Sequence, residues 1–199
     1  MARLHPWLLS IVLLLACAAT ARADIRSSES HPDIEIGPHL VLQWADEPAW
    51  DDDGIGIGVH GAIPVIPRGP VTTINNSLAI GFGLDWAHFD DACGPYALNP
   101  GDDCSANDFW FPIYVQWNFY FSDLISAFPS LGLAIEYENW DAVVCGGNPN
   151  RNWYWCGDGD DLDVELVLWL GVRFHIAKSF ALTLQLGTPS LLLGASFFL

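Results

Sequence analysis

Residues 162–176 read LDVELVLWLGVRFHI, and large apolar side chains occupy every second position of this stretch. The positions between them carry two acids, Val167, Trp169, Gly171, Arg173 and His175. Side chains of a β-strand point to alternate faces, so a period of two predicts a strand with one continuously apolar face. At about 3.3 Å per residue, this stripe is longer than that of an ordinary globular strand and fits a tilted membrane crossing.

The chain repeats this alternation along most of its length. Apolar faces oppose small or polar faces in residues 54–65, 77–86 and 109–121, and further candidate strands lie at 34–44, 131–140, 180–187 and 190–199. The total is about eight strands, the lower end of the even-numbered range of transmembrane barrels. We therefore predict an all-β fold, a transmembrane antiparallel up-and-down β-barrel that comprises residues 34–199.

The predicted barrel has long connections on one side and a filled interior. Odd-numbered connections, such as 90–107 and 141–161, are longer than most even-numbered ones, which is typical of loops outside the cell; the short seventh connection at Thr188-Pro189 is an exception. A barrel of about eight strands leaves little lumen. Small inward residues make room there for bulky ones, so we expect no wide channel; the inward aromatics are Trp110, Tyr114, Tyr120, Trp169 and Phe198.

Aromatic residues also cluster where the predicted strands meet the connections. One group lies near the predicted outer edge, namely Trp44, Trp86, Phe109 and Tyr137, and another near the inner edge, namely Phe121, Phe174, Phe180 and Phe197. Such positions are typical of the two interfacial girdles of a membrane barrel.

The N-terminus has the order of a secretory signal peptide. Arg3 precedes an apolar run at 7–17, and Ala21-Arg22-Ala23 then supplies a cleavage site. The run is shorter than the roughly 20 residues that a spanning helix needs. We predict a signal peptide at 1–23 and a short periplasmic segment at 24–33, with a lipoprotein box at residues 14–17 as the alternative.

The charge balance is strongly acidic, with 24 Asp and Glu residues against seven Lys and Arg. This sign excludes nucleic acid as a partner. Only Lys178 represents lysine in the whole chain, whereas a water-soluble β-protein normally covers its outer face with charged residues. The composition therefore favours a membrane barrel over the alternative of a soluble, lipocalin-like barrel, whose apolar faces would point inward.

Four cysteines follow the predicted cleavage site, namely Cys93, Cys104, Cys145 and Cys156. An even number in an exported chain indicates disulfides, and four cysteines allow three pairings. The equal separations of eleven positions favour two local bridges, Cys93–Cys104 and Cys145–Cys156. Each bridge would stabilise the fold by about 2 to 3 kcal/mol in the chain-entropy model.

Five acidic residues are predicted to point inward near the outer mouth: Asp85, Glu136, Glu138, Asp163 and Glu165. Hard oxygen ligands of this kind bind Ca²⁺ or Mg²⁺, which makes the set a candidate cation site. Solvated acids are the alternative, because the nearby DGDDLD at 158–163 lacks the spacing of an EF-hand loop. No other cofactor is predicted.

Arg173 is the only base predicted on an inner strand wall away from the turns. An unpaired guanidinium in a narrow lumen is costly, so Arg173 requires a partner, and the inward Glu35 is the candidate. His39, His60 and His175 are also predicted to point inward, as hydrogen-bonded residues of the interior.

From about Ile34 onward the chain resembles the small eight-stranded outer-membrane barrels of the OmpA and OmpX type. In that superfamily an aromatic residue ends the last strand, and the barrel-assembly machinery reads this signal. Here GASFFL carries Phe197 and ends at Leu199, so leucine replaces the terminal phenylalanine. The resemblance implies a location in the bacterial outer membrane and contact with its lipid and lipopolysaccharide, without a periplasmic domain.

We therefore expect a monomeric, non-enzymatic outer-membrane barrel that has a structural or interaction role and displays acidic, disulfide-braced loops at the cell surface. A narrow channel or small-solute transporter is one alternative. A lipid A-modifying enzyme is another, although His88 is the only histidine placed near the outer membrane face, Ser105 is the only serine in the outer loops, and no His-x-Ser motif occurs.

Overall fold

The computed structural model describes residues 29–31, 33–44, 53–90, 104–142, 146–148, 153–155 and 159–199. All regular secondary structure in these ranges is β-strand. Within the same ranges, no helix long and apolar enough to cross a membrane is found. The predicted signal peptide at 1–23 lies outside the described residues, as does most of the predicted periplasmic segment at 24–33.

Eight strands form a closed antiparallel barrel, as the alternation predicts. In barrel order they are β1 (Glu35–Gln43), β2 (Gly54–Ile66), β3 (Asn76–Asp90), β4 (Cys104–Tyr120), β5 (Ile125–Ala142), β8 (Gly159–Ala177), β9 (Phe180–Thr188) and β10 (Ser190–Phe198). The first and last strands close the barrel by pairing from Glu35 opposite Phe198 to Gln43 opposite Ser190. Two further strands, β6 (Gly146–Asn148) and β7 (Trp153–Trp155), form a separate antiparallel pair within the connection between β5 and β8.

The apolar faces of the strands point away from the barrel axis. Each barrel strand exposes large aliphatic side chains, with exposed fractions between 41 and 64% for Leu40, Ile57, Leu84, Ile113, Leu133, Leu166, Leu182 and Leu193. The alternate positions are buried, as Val167 and Trp169 illustrate on β8. This polarity is the reverse of a soluble, lipocalin-like barrel, so that alternative is wrong.

The fifth strand begins earlier than predicted. Residues 125–130, expected to belong to a connection, form the first part of β5 and bring Phe128 into the interior. Pro129 accounts for the missed start, because it has no N–H to donate to a strand ladder. The pairing of β4 with β5 is correspondingly interrupted between Gln116–Ser130 and Phe119–Ala127, and resumes without a change of register.

The two ends of the barrel differ. At the end called here the turn end, strands are joined by residues 67–75, 121–124 and 178–179. At the opposite loop end, the connections span 44–53, 91–103 and 143–158, and the last is the single residue Pro189. This matches the predicted pattern of long and short connections, including the short seventh one.

The residues that precede β1 lie against the turn end. The His31 backbone N–H donates to the Pro67 carbonyl at 2.9 Å, and its ring Nε2 lies 2.7 Å from Asn75 Oδ1. The same ring stacks on Tyr120 with centroids 3.6 Å apart and an interplanar angle of 11°. His31 therefore joins the N-terminal segment to the turn-end connection at 67–75 and to the end of β4.

Candidate functional site in the barrel interior

Glycines in the barrel wall leave room for the bulky side chains that fill the interior. A Cβ added to Gly81 would lie 2.1 Å from the Tyr114 ring, and one added to Gly171 would lie 2.0 Å from the Phe128 ring. Cβ atoms are not found at such distances. Small residues on one strand therefore make room for large residues on a neighbouring strand. The polar side chains of the interior form three layers, described in turn below from the turn end to the loop end.

The layer nearest the turn end is built on Arg173 of β8 and Glu35 of β1. Arg173 Nε donates to Glu35 Oε1 at 2.7 Å and Nη2 donates to Oε2 at 2.6 Å, so the pair is bidentate. Arg173 Nη1 also donates to Asn118 Oδ1 at 2.9 Å, and its guanidinium carbon lies 3.7 Å from the centroid of Phe128. Only 2% of the Arg173 side chain is exposed, so these contacts replace its hydration.

Polar side chains of β3 and β4 extend this layer. Asn118 Nδ2 donates to Ser77 Oγ at 3.1 Å, and Gln116 Nε2 donates to Asn118 Oδ1 at 2.9 Å. Ser77 Oγ and the Tyr120 hydroxyl lie 3.1 Å apart. A hydrogen-bonded network thus crosses the lumen here, which rigidifies the interior.

The middle layer is a cluster of His39, His60 and Asp85, which lie on β1, β2 and β3. His39 Nε2 lies 2.7 Å from Asp85 Oδ1, and His60 Nε2 lies 2.9 Å from Asp85 Oδ2. The two imidazole rings meet edge to face with centroids 4.4 Å apart. On the other side, the His60 ring packs against Trp169, with centroids at 5.2 Å.

The layer nearest the loop end centres on Asp108 of β4, which is fully buried. Trp110 Nε1 and Gln43 Nε2 both donate to its Oδ2. Carboxylate oxygens of Asp108, Glu136 and Glu138 lie within 4.8 Å of one another. Several acids are therefore held close together just above the His39–His60–Asp85 cluster.

The structure does not gather the five acids of the predicted cation site. Glu136 and Glu138 lie together with Asp108, but Asp85 binds the two histidines instead. Asp163 and Glu165 are solvent-exposed residues of β8. The sequence prediction does not include Asp108, which falls between the connection at 90–107 and the strand predicted to begin at Phe109, whereas β4 in the structure begins at Cys104 and its alternation runs through Asp108.

The interior contains a cavity of about 30 Å³ between the middle and turn-end layers, lined among others by Glu35, His39, His60, Gln116 and Arg173. A space of this size holds one or two water molecules and no more.

A serine and a histidine also meet in the interior. Ser126 Oγ lies 2.9 Å from His175 Nε2, but Ser126 is fully buried. A nucleophile must reach its substrate, so this contact is part of the packing. His88, the histidine considered for an enzyme, lies 3.1 Å from Asn107 Oδ1 through Nδ1.

The remaining predicted residues are those of the C-terminal assembly signal and the four cysteines. Phe197 and Leu199 are both exposed, and the Phe197 ring contacts Phe180 with centroids 5.3 Å apart. Cys93, Cys145 and Cys156 lie outside the described residues, and Cys104 is described only as the first residue of β4. The two disulfides stay a prediction.

No family model and no curated protein matches the sequence. Among solved structures, the attachment invasion locus protein Ail of Yersinia pestis superposes with a TM-score of 0.51 at 11% identity, covering 86% of this chain and 99% of Ail. Ail in complex with the heparin analogue sucrose octasulfate gives 0.49 at 11% identity, with coverage of 84% and 97%. Neisserial surface protein A gives 0.48 at 8%, with coverage of 83% and 95%. This chain therefore has the fold of the small eight-stranded outer-membrane barrels, as its resemblance to the OmpA and OmpX type predicts.

Proposed function

We propose that this protein is a barrel of the bacterial outer membrane with a structural or interaction role, which holds its loop-end connections at the cell surface. The apolar belt carries this proposal. Eight strands expose aliphatic side chains all round the barrel, and burying such a surface in lipid removes the cost of exposing it to water. Acyl chains and lipopolysaccharide are the partners of this belt.

The filled interior favours a role other than transport. Bidentate contacts join Arg173 to Glu35, and the cluster of His39, His60 and Asp85 lies on the loop-end side of this pair. The cavity between the two layers has a volume of about 30 Å³. A solute or hydrated ion would have to break buried hydrogen bonds to pass. We therefore propose that the lumen does not conduct and that the protein is not an enzyme.

The interaction role is assigned to the connections at the loop end. They carry acidic runs, Trp50, Trp153 and Trp155, and three of the four cysteines, while Cys104 is the first residue of β4. Binding residues are commonly placed on loops that a rigid scaffold positions. A partner protein, a glycan or lipopolysaccharide fits this surface. The barrel is proposed to be a monomer that the barrel-assembly machinery inserts into the outer membrane.

The first test is folding in detergent. The mature chain with oxidised cysteines is expected to migrate faster in gel electrophoresis before boiling than after, and to give a β-type circular dichroism spectrum. A chain that is β-rich and fully soluble without detergent contradicts the membrane assignment. Planar-bilayer recording then tests the lumen: discrete conductance steps would favour the alternative of a narrow channel.

The second test is the orientation. An epitope inserted at 149–152, between β6 and β7, is expected to bind antibody on intact cells. The control is the same epitope inserted at 178–179, in a turn-end connection, which antibody reaches only after the outer membrane is permeabilised. The reverse pattern would contradict the display of the loop end outside.

A further inference from the structure

The cluster of His39, His60 and Asp85 has the composition of a transition-metal site. Its ligand atoms, an imidazole nitrogen from each histidine and a carboxylate oxygen, lie within 4.8 Å of one another. All three side chains are less than 10% exposed, at 7, 9 and 7%. They come from three neighbouring strands, so the wall of the barrel holds them in place.

Both ring nitrogens of His39 face a hydrogen-bond acceptor. Its Nδ1 lies 2.9 Å from the Gly37 carbonyl and its Nε2 lies 2.7 Å from Asp85 Oδ1. A carbonyl and an ionised carboxylate are both acceptors, whereas neutral imidazole has a single N–H. A metal ion at Nε2 resolves this conflict, because Nδ1–H then donates to the carbonyl as it does in most metal-ligating histidines.

The barrel wall reserves space for this cluster. A Cβ on Gly58 would lie 2.0 Å from Asp85 Oδ1 and 2.5 Å from His39 Nε2, and one on Gly83 would lie 2.2 Å from His60 Cδ2. The cavity of about 30 Å³ borders both histidines. It has room for a water molecule that completes the coordination of an ion.

We infer that His39 Nε2, His60 Nε2 and the Asp85 carboxylate bind one divalent transition-metal ion, with Zn²⁺ as the ion of choice. Two imidazoles and a carboxylate are a donor set that Zn²⁺ accepts with a fourth position left for water. Ca²⁺ and Mg²⁺ prefer oxygen ligands, and the sequence indicates these ions as candidates for Asp85 as one of five acids. The two histidine ligands make Zn²⁺ the expected ion instead.

The charges around the cluster favour entry of a cation from the loop end. Asp108, Glu136 and Glu138 lie above it, and Asp163 and Glu165 are exposed at the rim. Acids that line a narrow opening raise the local concentration of cations. A bound ion would join β1, β2 and β3 beside the seam where β1 closes on β10.

Zn²⁺ titration of the folded chain tests this inference. The protein, folded in detergent with oxidised cysteines and stripped with a chelator, is titrated calorimetrically. We expect a saturable site that binds one ion per chain, and a melting temperature that rises with Zn²⁺ concentration. His39→Gln and His60→Gln are expected to weaken binding by more than about tenfold each, because removing a ligand costs at least as much as removing its supporting contact.

His175→Gln is the matched control, since His175 is also an interior histidine but bonds to Ser126 near the turn end. Its Zn²⁺ affinity is expected to equal that of the unaltered chain. The absence of saturable binding, or binding that both His39→Gln and His60→Gln leave unchanged, overturns the site. Binding that both variants leave unchanged would assign Zn²⁺ to the acids or the loops. The absence of saturable binding would mean that hydrogen bonds alone hold the cluster together.

A measurement on the unaltered chain covers the case in which the variants fail to fold. X-ray absorption of the Zn²⁺-loaded protein is expected to show scattering from two imidazoles together with oxygen ligands. A spectrum with fewer than two imidazoles, or with sulfur ligands, overturns the site.

Discussion

The Arg173 guanidinium binds the Glu35 carboxylate through two hydrogen bonds of 2.7 and 2.6 Å, and so joins β8 to β1 across the barrel interior. The strands are not neighbours in the barrel wall, where β9 and β10 lie between them on the shorter side. The contact is therefore a tie across the lumen.

Glu35→Gln is expected to destabilise the barrel. It leaves the buried Arg173 charge without a counter-ion, and breaking a buried pair in this way costs about 3 to 5 kcal/mol. The midpoint of urea unfolding in lipid vesicles measures the loss. Asp33→Asn, which alters an exposed acid two positions earlier, is the control and is expected to leave the midpoint unchanged.

Replacing both partners distinguishes the pair from its separate charges. The double variant Glu35→Gln with Arg173→Met removes the buried charge as well, so it is expected to be more stable than Glu35→Gln alone. Equal midpoints for Glu35→Gln and the unaltered chain would mean that the tie contributes nothing to stability.

Gly81→Ala tests the matching of small and large residues in the lumen. The new Cβ would lie 2.1 Å from the Tyr114 ring, and overpacking of this kind costs about 1 to 3 kcal/mol. Gly37→Ala is the control at another interior-facing glycine, where the nearest atom is the Ala195 carbonyl oxygen at 3.5 Å. It is expected to be neutral, or to stabilise the barrel by about 0.4 to 1 kcal/mol through the unfolded chain.

Addition of Tyr114→Leu to Gly81→Ala identifies the cause. Truncating the ring relieves the clash, so the loss in the double variant is expected to be smaller than the sum of the two single losses. Additive losses in unfolding midpoint would show that Gly81 and Tyr114 do not share the space.

The period of two in the sequence was sufficient to assign faces. It places Glu35 and Arg173 on the inward face. Because the strands carry so few bases, the pairing of Arg173 with Glu35 could be predicted from the sequence. The period could not assign distances across the lumen, because those depend on the stagger of the strands when the barrel closes. For this reason Asp85 was grouped with Glu136, whereas the register brings it to His39 and His60.

Strand boundaries were the weaker part of the prediction. Pro129 suggested a connection, yet the closed ladder accommodates it in an outward position of β5, at the cost of a local interruption in pairing. Asp108 falls one residue before the predicted strand start at Phe109, so it is not among the predicted inward acids, although its position matches the inward parity of Trp110. The two misplaced strand boundaries have the same physical reason. Pairing within a closed barrel keeps residues in a strand even where their local sequence does not favour one.

The cysteine spacing predicts a specific fragment pattern. Peptide mass mapping of the unreduced, exported chain is expected to find Cys93 linked to Cys104 and Cys145 linked to Cys156. Reduction is expected to lower stability by about 2 to 3 kcal/mol for each loop released. A peptide that links Cys104 to Cys145 would contradict the local bridges and would join the start of β4 to the connection between β5 and β8.

Leu168→Arg tests whether the exposed belt lies in lipid. Leu168 pairs with Leu131 midway along the outward face of β8, and its side chain is 53% exposed. A charge near the middle of a bilayer costs a barrel about 2 to 4 kcal/mol, and the cost falls to about 0 to 1 kcal/mol near the interface. Leu162→Arg is the control, because Leu162 is exposed on the same face but pairs with Tyr137 near the loop end. Unfolding in vesicles should therefore show a large loss for Leu168→Arg and a small one for Leu162→Arg, whereas equal small losses would place the belt in water.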